Sequence, residues 1–299
     1  MRLIVMGQQA FGKDVLTKLL EAGTDEVVAV YCEPDREGKP VDPIKEFALE
    51  KGIAVHQPAD FDAQEALDTL AACNADLMVM AFVNVFVPEA ARDTPKLGSI
   101  CFHPSLLPLH RGPSAVNWPI IMGASKSGYS WFYPTDGLDE GDSLLQWECD
   151  IGPDDTVINL YFKKIYPVAV DSVLQVCDLF RSGNPPHIVP DEAEATYERR
   201  CVKKHAKIDW NKPVAQVHNL IRGTNPAPGA WTMHGGNELG VFDCARTSGD
   251  GISGRVMEVS DAGVTVQCVG GRIQIKRVRP AGEGKMAASE WASNAGIAK

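Results

Sequence analysis

No apolar run in this sequence approaches the roughly 18 residues needed to span a membrane as a helix. The opening Met1-Arg2-Leu3-Ile4-Val5-Met6-Gly7 is too short and too soon interrupted to serve as a signal peptide. A cytoplasmic protein with no membrane partner is therefore expected. No CxxC pair occurs, and the eight cysteines, at positions 32, 73, 101, 149, 177, 201, 244 and 268, have no histidine at metal-ligand spacing. The thiols are expected to be free, in a reducing compartment, most of them small buried apolar residues, and no metal is expected. Internal repeats and low-complexity tracts are absent, so a repeat architecture is excluded. The chain also lacks a positive balance: 29 Lys and Arg against 39 Asp and Glu give a formal charge of -10, which argues against a general nucleic-acid binder.

What is present is enough apolar material, 44% of 299 residues, for a sizeable core and for two domains. The charge is unevenly spread. Residues 1–189 carry 14 basic and 27 acidic side chains, a net -13, whereas residues 190–299 carry 15 and 12, a net +3.

Leu3-Ile4-Val5-Met6 reads as a strand that ends at Gly7, and Val15, Leu16, Leu19 and Leu20 give helical spacing from Asp14 to Glu21. The pattern then repeats. Val27 to Tyr31 is a strand, Ile44 to Leu49 a helix, Ala54 to His56 a strand, Gln64 to Cys73 a helix and Leu77 to Ala81 a buried strand. Strands alternating with helices predict a Rossmann-like, doubly wound, mostly parallel α/β sheet. Gly152-Pro153-Asp154-Asp155-Thr156 reads as a turn and cap leading into an amphipathic helix through about Phe180. Arg181 to Pro186 breaks it, and the polar stretch to about Lys207 fits a linker. Val214 to Ile221 suggests one more helix, and short alternating runs such as 264–268 and 273–275 predict a small β-rich domain. The expected division is 1–189, a linker over 190–206, and 207–299.

In a doubly wound sheet the ligand lies beyond the carboxyl ends of the strands, which directs attention to the loops 7–12, 82–88 and 103–112. The first, Gly7-Gln8-Gln9-Ala10-Phe11-Gly12, has the place of a phosphate-binding turn but lacks both GxGxxG and GK[ST], so no nicotinamide cofactor is expected. Ser99 to Asp142 is more informative. Prolines fix the backbone around His103 in His103-Pro104-Ser105-Leu106-Leu107-Pro108, and Asp139 sits in the Gly-bounded turn Gly137-Leu138-Asp139-Glu140-Gly141-Asp142. A carboxylate beside an imidazole fixes its tautomer and can accept a proton from an attacking nucleophile. By composition alone, both residues could equally be ordinary loop residues.

The same strings, with Arg111-Gly112, resemble the folate-dependent formyltransferases, a family that includes methionyl-tRNA formyltransferase, sugar-amine formyltransferases and the hydrolase module of 10-formyltetrahydrofolate dehydrogenase. The likeness runs along nearly the whole chain, through Met6-Gly7-Gln8, Phe86-Val87-Pro88, Ile208-Asp209-Trp210, Ile221-Arg222-Gly223 and Pro228-Gly229-Ala230-Trp231. The wording is nearest that hydrolase module, notably in Asn117-Trp118, Pro153 to Val157, Ala195-Thr196-Tyr197 and His218-Asn219. The resemblance implies the formyltransferase fold with an OB-like small domain behind it. It also implies that 10-formyltetrahydrofolate is the formyl donor. A folate would be held around Val85, Phe86, Val87, Ser105, Leu106, Leu107, Pro108 and Gly137, with His103 and Asp139 as the catalytic pair.

One position departs from the family. Most transferring members carry Asn two residues before the catalytic His, where this chain has Cys101, as the hydrolase module also lacks that Asn. An oxyanion donor of that kind is worth about 3 kcal/mol in the transition state. Hydrolysis to formate and tetrahydrofolate is therefore the expected reaction. The alternative is formyl transfer to an amine on methionyl-tRNA, an amino-sugar nucleotide or a small metabolite, with tRNA disfavoured by the net charge. A non-catalytic folate-binding protein ranks lower, because folate capture needs no acid–base pair. The chain ends at Lys299, so the carrier and aldehyde dehydrogenase modules of the full dehydrogenase are not expected, nor is NADP-dependent oxidation. His110 and Arg111 could steer the folate tail or an acceptor phosphate, or be solvated loop residues. Trp118, Trp210 and Trp231 read as core or interface residues. Arg272, Lys276, Arg277 and Arg279 suggest a basic strip on one face of the small domain.

Overall fold

A computed structural model describes residues 1–297. The elements in chain order are β1 (Arg2–Gly7), α1 (Gln9–Ala22), β2 (Glu26–Tyr31), α2 (Pro43–Glu50), β3 (Ala54–His56), α3 (Gln64–Ala72), β4 (Leu77–Ala81), α4 (Glu89–Arg92), β5 (Ser99–His103), α5 (Asn117–Met122), β6 (Lys126–Phe132) and β7 (Ser143–Asp150). A π-helix (Asn159–Ile165) runs into α6 (Tyr166–Arg181), followed by α7 (Val214–Gly223). Eight short strands then follow, β8 (Ala230–His234), β9 (Asn237–Val241), β10 (Cys244–Thr247), β11 (Val256–Ser260), β12 (Gly263–Cys268), β13 (Gly271–Ile275), β14 (Arg277–Pro280) and β15 (Met286–Ala287), with α8 (Ala288–Asn294) last. Among the described residues no helix is long and apolar enough to cross a membrane.

Internal contacts divide the chain into two compact units: Met1–Arg111 with Gly128–Glu148 and Lys164–Tyr197, and Gly112–Ser127 with Cys149–Lys163 and Glu198–Lys299.

The first unit is built on a seven-stranded sheet of order β3-β2-β1-β4-β5-β6-β7. The pairs β1–β2, β1–β4, β2–β3 and β4–β5 are parallel, as the alternating pattern predicts, while β6 runs antiparallel to β5. The chain moves outward in opposite directions from β1 and β4, so the crevice of the sheet lies at their carboxyl ends. These two strands carry the core. Leu3, Ile4, Val5, Leu77, Met78 and Val79 are fully buried, and each such side chain contributes roughly 1.5–3 kcal/mol. Ile4, Met6, Met78 and Met80 join Tyr31, Leu70, Val87 and Ala91 in one cluster on one face. The loop that follows β4 is thus anchored by its own Val87.

Helix α1 starts at Gln9, earlier than the apolar spacing from Asp14 predicts, because the turn from β1 is as short as it can be. That closeness depends on glycine. A Cβ on Gly7 would stand 2.3 Å from the Ala81 carbonyl oxygen, and one on Gly12 would stand 3.2 Å from the Gly7 carbonyl carbon. The helix predicted from the 152–156 turn to Phe180 is also modified. Its opening residues wind as the π-helix, and regular α-helix begins only at Tyr166, with Pro167 in its first turn.

The second unit holds two four-stranded antiparallel sheets, β10-β13-β12-β11 and β15-β14-β9-β8. Ile221, Val241, Val264, Ile273, Val278 and Ala292 are among the side chains that form its core. Arg272 and Arg277, predicted to share one basic strip, fall in different sheets, since the chain passes from β13 to β14 between them. Arg272 is tied instead to Gln267 Oε1 and the Asp250 carbonyl, while Arg279 and Lys285 flank the Phe242 ring. The tryptophan indoles serve inside this unit, where Trp118, Trp210 and Trp231 donate to Arg199 O, Thr232 Oγ1 and Lys203 O. Helix α7 buries two polar side chains. Arg222 spans to the carbonyls of Gly152 and Asp155, at 3.1 and 3.0 Å, and His218 Nε2 lies 3.6 Å from Asp154. Burial, and then the neighbouring Arg222 and Arg246, lower His218 to about 4.

Two outcomes follow from this packing. Gly7→Ala, which drives a methyl group against the β4 backbone, lowers stability by about 1–3 kcal/mol, read as a fall in melting temperature; an unchanged melting temperature would show that the turn has slack. His218 is depressed in the folded chain, so between about pH 6.5 and 4 the unfolded chain binds the extra proton and stability falls as pH falls. The loss from this one group is at most about 3 kcal/mol. Urea midpoints measured from about pH 7 to about pH 5 should drop more steeply for the native chain than for His218→Gln, and parallel slopes would remove His218 from the account.

Candidate functional site

His103 closes β5 and is buried, at 6% exposure. Its Nε2 lies 2.9 Å from the His110 carbonyl oxygen, which can only accept, so Nε2 carries a proton. Its Nδ1 faces Asp139 Oδ2 at 3.6 Å. The structure therefore brings together the two residues that the sequence singled out, 36 positions apart in the chain. The gap is wider than a hydrogen bond, yet an oxygen atom about 2.8 Å from each would close a triangle on that edge.

Each partner is held by an unusual backbone. His110 and Asp139 both have left-handed conformations, with φ of 58° and 51°. His110 is pinned by its N–H to Thr196 Oγ1 at 2.8 Å, and the next residue donates its N–H to the Thr196 carbonyl at 2.9 Å. The turn that carries Asp139 is closed at its base by the Tyr133 N–H on the Asp142 carbonyl at 2.9 Å. Gly141 lets it close, because a Cβ there would stand 1.9 Å from the Tyr133 carbonyl oxygen.

The loop between His103 and His110 is braced from within. Ser105, fully buried, donates its hydroxyl to Leu109 O at 2.6 Å. Ser130 on β6 donates to Ser105 O at 2.7 Å and accepts from Leu107 N at 3.0 Å. Gln146 on β7 donates to both Leu107 O and Ser130 Oγ, at 2.7 and 2.8 Å. Leu107, buried, precedes the cis-linked Pro108, whose carbonyl accepts from Thr196 N at 3.2 Å, and Leu106 packs close to Gly128. The hydroxyl of Ser105 is accordingly spent on the loop itself. Of the other residues expected at a folate, Val85 and Phe86 are exposed, Val87 is buried in the core, and Gly137 lies under the Glu140 carboxylate, where a Cβ would meet Oε2 at 1.9 Å. Val85 and Phe86 also border a cavity of about 130 Å³ at the carboxyl ends of β1, β2 and β4, which Gln8, Cys32 and Phe61 help to line.

Alternation along β5 puts Cys101 on the same face as His103. Desolvation first, and then the charge of Asp139, raise its thiol well above the ordinary range, so Cys101 stays protonated and is no nucleophile. Sequence reasoning missed the use made of Arg111. Its side chain is wholly buried, pairs with both oxygens of Glu192 at 2.8 and 2.7 Å, and donates to Tyr197 Oη, which itself donates to Glu140 Oε1 at 2.6 Å. It is neither a solvated residue nor free to steer a ligand. The first glycine turn is occupied as well. Where a dinucleotide's pyrophosphate would meet the first helix, the Asp42 carboxylate accepts from Gln9 N at 2.9 and 3.0 Å while capping α2 through Ile44 N at 3.0 Å.

Family models match over both parts of the chain: formyl transferase over residues 1–166 and formyl transferase, C-terminal domain, over residues 200–296. The chain is 38% identical over 268 residues to the cytosolic 10-formyltetrahydrofolate dehydrogenase of Xenopus tropicalis, covering 88% of this chain and 30% of that protein. Against the Homo sapiens counterpart it is 42% identical over 255 residues, 83% of this chain and 28% of the other. It thus spans less than a third of these dehydrogenases. To the methionyl-tRNA formyltransferase of Trichlorobacter lovleyi it is 32% identical over 295 residues, 97% of this chain and 93% of that protein. Among solved structures, HypX from Aquifex aeolicus in complex with tetrahydrofolic acid superposes with TM-score 0.67 at 18% identity, covering 98% of this chain and 47% of that one. WlaRD, a sugar 3N-formyl transferase, gives 0.70 at 16%, covering 95% and 99%. At such identities these two report a shared fold.

Ser130 is the brace whose removal is cleanest to read. Ser130→Ala strands Leu107 N and Ser105 O inside the loop and should cost about 1–3 kcal/mol, measured by urea unfolding. A loss below about 0.5 kcal/mol would mean that Gln146 alone holds the loop.

Proposed function

The chain belongs to the formyl transferase family, and from that premise we propose that it takes 10-formyltetrahydrofolate and gives the formyl group to water, yielding formate and tetrahydrofolate. The observation that carries this reading is the His103–Asp139 pair at 3.6 Å with Cys101 on the same face. Residues 1–189 form the catalytic and folate-binding part in this reading, 190–206 a linker and 207–299 the small domain.

The folate lies against the exposed Val85 and Phe86, with Val87 anchoring that loop, and against the turn at Gly137 and the 105–108 loop. Its formyl carbon faces the His103–Asp139 gap. Water attacks that carbon, forming a C–O bond, and its proton passes to the Asp139 carboxylate. Nε2–H is already donated to the His110 carbonyl, so Nδ1 is the ring nitrogen left to face the developing oxyanion, to which it donates when it carries a proton. Collapse of the tetrahedral species breaks the bond from carbon to the folate N10, which takes up the proton held by Asp139. The products are formate and tetrahydrofolate, with no change of oxidation state, so the reaction needs no nicotinamide.

Cys101 favours water as acceptor. A protonated thiol is a weak hydrogen-bond donor, so the carbonyl lacks the strong second donor that an amide would provide there. The likeness to methionyl-tRNA formyltransferase along nearly its whole length supports an amine acceptor as the second reading. A small amine, rather than tRNA, suits the charge of -10. The site would sit in the cytoplasm.

The test is to incubate the purified chain with 10-formyltetrahydrofolate alone and follow tetrahydrofolate by absorbance and formate by a coupled assay. Equimolar formate and tetrahydrofolate are expected. His103→Ala and Asp139→Ala should each lower the rate by about 10²–10⁴-fold while folate binding changes little. Binding without turnover, followed by turnover once an amine is added, would move the reading to transfer; a His103→Ala rate near that of the native chain would reject the catalytic pair.

A further inference from the structure

Arg92 ends the four-residue helix α4, and its guanidinium is almost wholly buried, with the side chain 7% exposed. It does not point to solvent as the last residue of a short surface helix normally would. Nη1 donates to the Val87 carbonyl at 2.6 Å and Nη2 donates to Asp136 Oδ1 at 2.8 Å. The guanidinium carbon also stands 6.0 Å from the centre of the Phe86 ring, within cation–π range. The backbone behind it is fixed too, because Ser99 Oγ donates to the Arg92 carbonyl at 2.6 Å and Ala91 lies in the core with Val87.

The two acceptors belong to different loops. Val87 is in the loop after β4, and Asp136 is in the turn after β6, three residues before Asp139. A planar guanidinium with two donors engaged holds both acceptors in one plane, which a lysine ammonium cannot do. The acceptors are also unlike in a way that separates their effects. Val87 is fixed by the core whatever Arg92 does, whereas the Asp136 carboxylate is 68% exposed and has no comparable burial to hold it.

We infer that Arg92 is a positioning residue, which ties the loop presenting Phe86 to the turn presenting Asp139 and so sets the distance between the bound folate and its base. This rests on the reading of Asp139 and of the 85–87 loop given above. Burying a guanidinium is costly unless its donors are engaged, and the two hydrogen bonds it makes here go to atoms of the two segments that must agree in position for attack to occur. The Tyr197 hydroxyl on Glu140 steadies the other side of the same turn, so Asp139 hangs between two fixed neighbours.

The experiment compares Asp136→Ala, Asp136→Asn, Arg92→Leu and Arg92→Lys in the full chain, in steady-state turnover of 10-formyltetrahydrofolate and in tetrahydrofolate binding followed by tryptophan fluorescence. Asp136→Ala leaves Val87 in place and frees only the turn. It should lower kcat on the order of tenfold, with KM within about twofold and the melting temperature unchanged. Asp136→Asn keeps an acceptor oxygen and should recover most of that loss. Arg92→Leu frees the turn and also removes the guanidinium from beside the Phe86 ring, so it should raise KM and the dissociation constant for tetrahydrofolate about tenfold as well as lowering kcat, with Arg92→Lys between it and the native chain. An Asp136→Ala variant with native kcat, or losses that follow the melting temperature in every variant, would overturn the inference. His103→Ala in the same assay separates the two levels: if it stays active, the proposed chemistry is wrong. If the native chain shows no turnover, tetrahydrofolate binding still decides the role of Arg92, since Arg92→Leu binding as tightly as the native chain would reject it.

Discussion

The hydrogen bond from His103 Nε2 to the His110 carbonyl determines what the rest of the site can do. A backbone carbonyl cannot donate, so one ring nitrogen is committed and the other, Nδ1, is left facing Asp139 as the only nitrogen with chemistry to perform. Everything around the ring serves that orientation. The carbonyl of His110 points inward because its residue is left-handed, and it stays so because Thr196 takes the N–H groups on both sides of it. Ser105, Ser130 and Gln146 then fix the loop that joins the two histidines.

The strain needed for this is concentrated. Among the described residues five that are not glycine have positive φ, and four of them follow β1, β4, β5 and β6: Gln9 as the first residue of α1, and Phe82, His110 and Asp139 in loops. Each such conformation costs about 1–3 kcal/mol and persists only where neighbours over-determine it. The neighbours are identifiable. Asp42 holds Gln9, Thr196 holds His110, and the Tyr133–Asp142 closure with Gly141 holds the turn of Asp139. The rigid parallel sheet, with β1 and β4 buried on both faces, is the platform that makes such bracing possible.

How far this was legible in the sequence depends on the range of the interaction. Leu3 to Met6 and Leu77 to Ala81 announce buried strands because their own side chains carry the signal, and His103 stands out because the prolines that follow it, Pro104 and Pro108, mark a rigid loop. The antiparallel β6 is invisible, since nothing in Lys126–Phe132 itself records the direction of its neighbour. Arg111 was equally open to being solvated or a ligand contact, and only the fold brings Glu192 and Tyr197 to it. Asp42 looks like an ordinary helix cap, and it is one, but the amide it also occupies belongs to Gln9, 33 residues earlier. Arg92 gave no signal, because a lone arginine after Ala90-Ala91 reads as a helix end. Each miss is a polar side chain whose partner lies in a remote loop, the class of contact that periodicity cannot report.

Cys101 bears on the choice of acceptor in the proposed reaction. In the proposed reaction the oxyanion needs directed donors, and the candidates on that face of β5 are the His103 ring and the side chain at 101. The thiol is kept protonated by desolvation and by the Asp139 charge, so it neither attacks nor donates strongly. The same charge that holds Cys101 inert is the one placed to take a proton from the nucleophile. A nucleophile that must lose a proton as it attacks, and that is small enough to sit on the edge of the 3.6 Å His103–Asp139 pair, gains most from such a site. Water meets both conditions. A bulky amine meets the first condition but not the second, which is why the proposed reaction takes water.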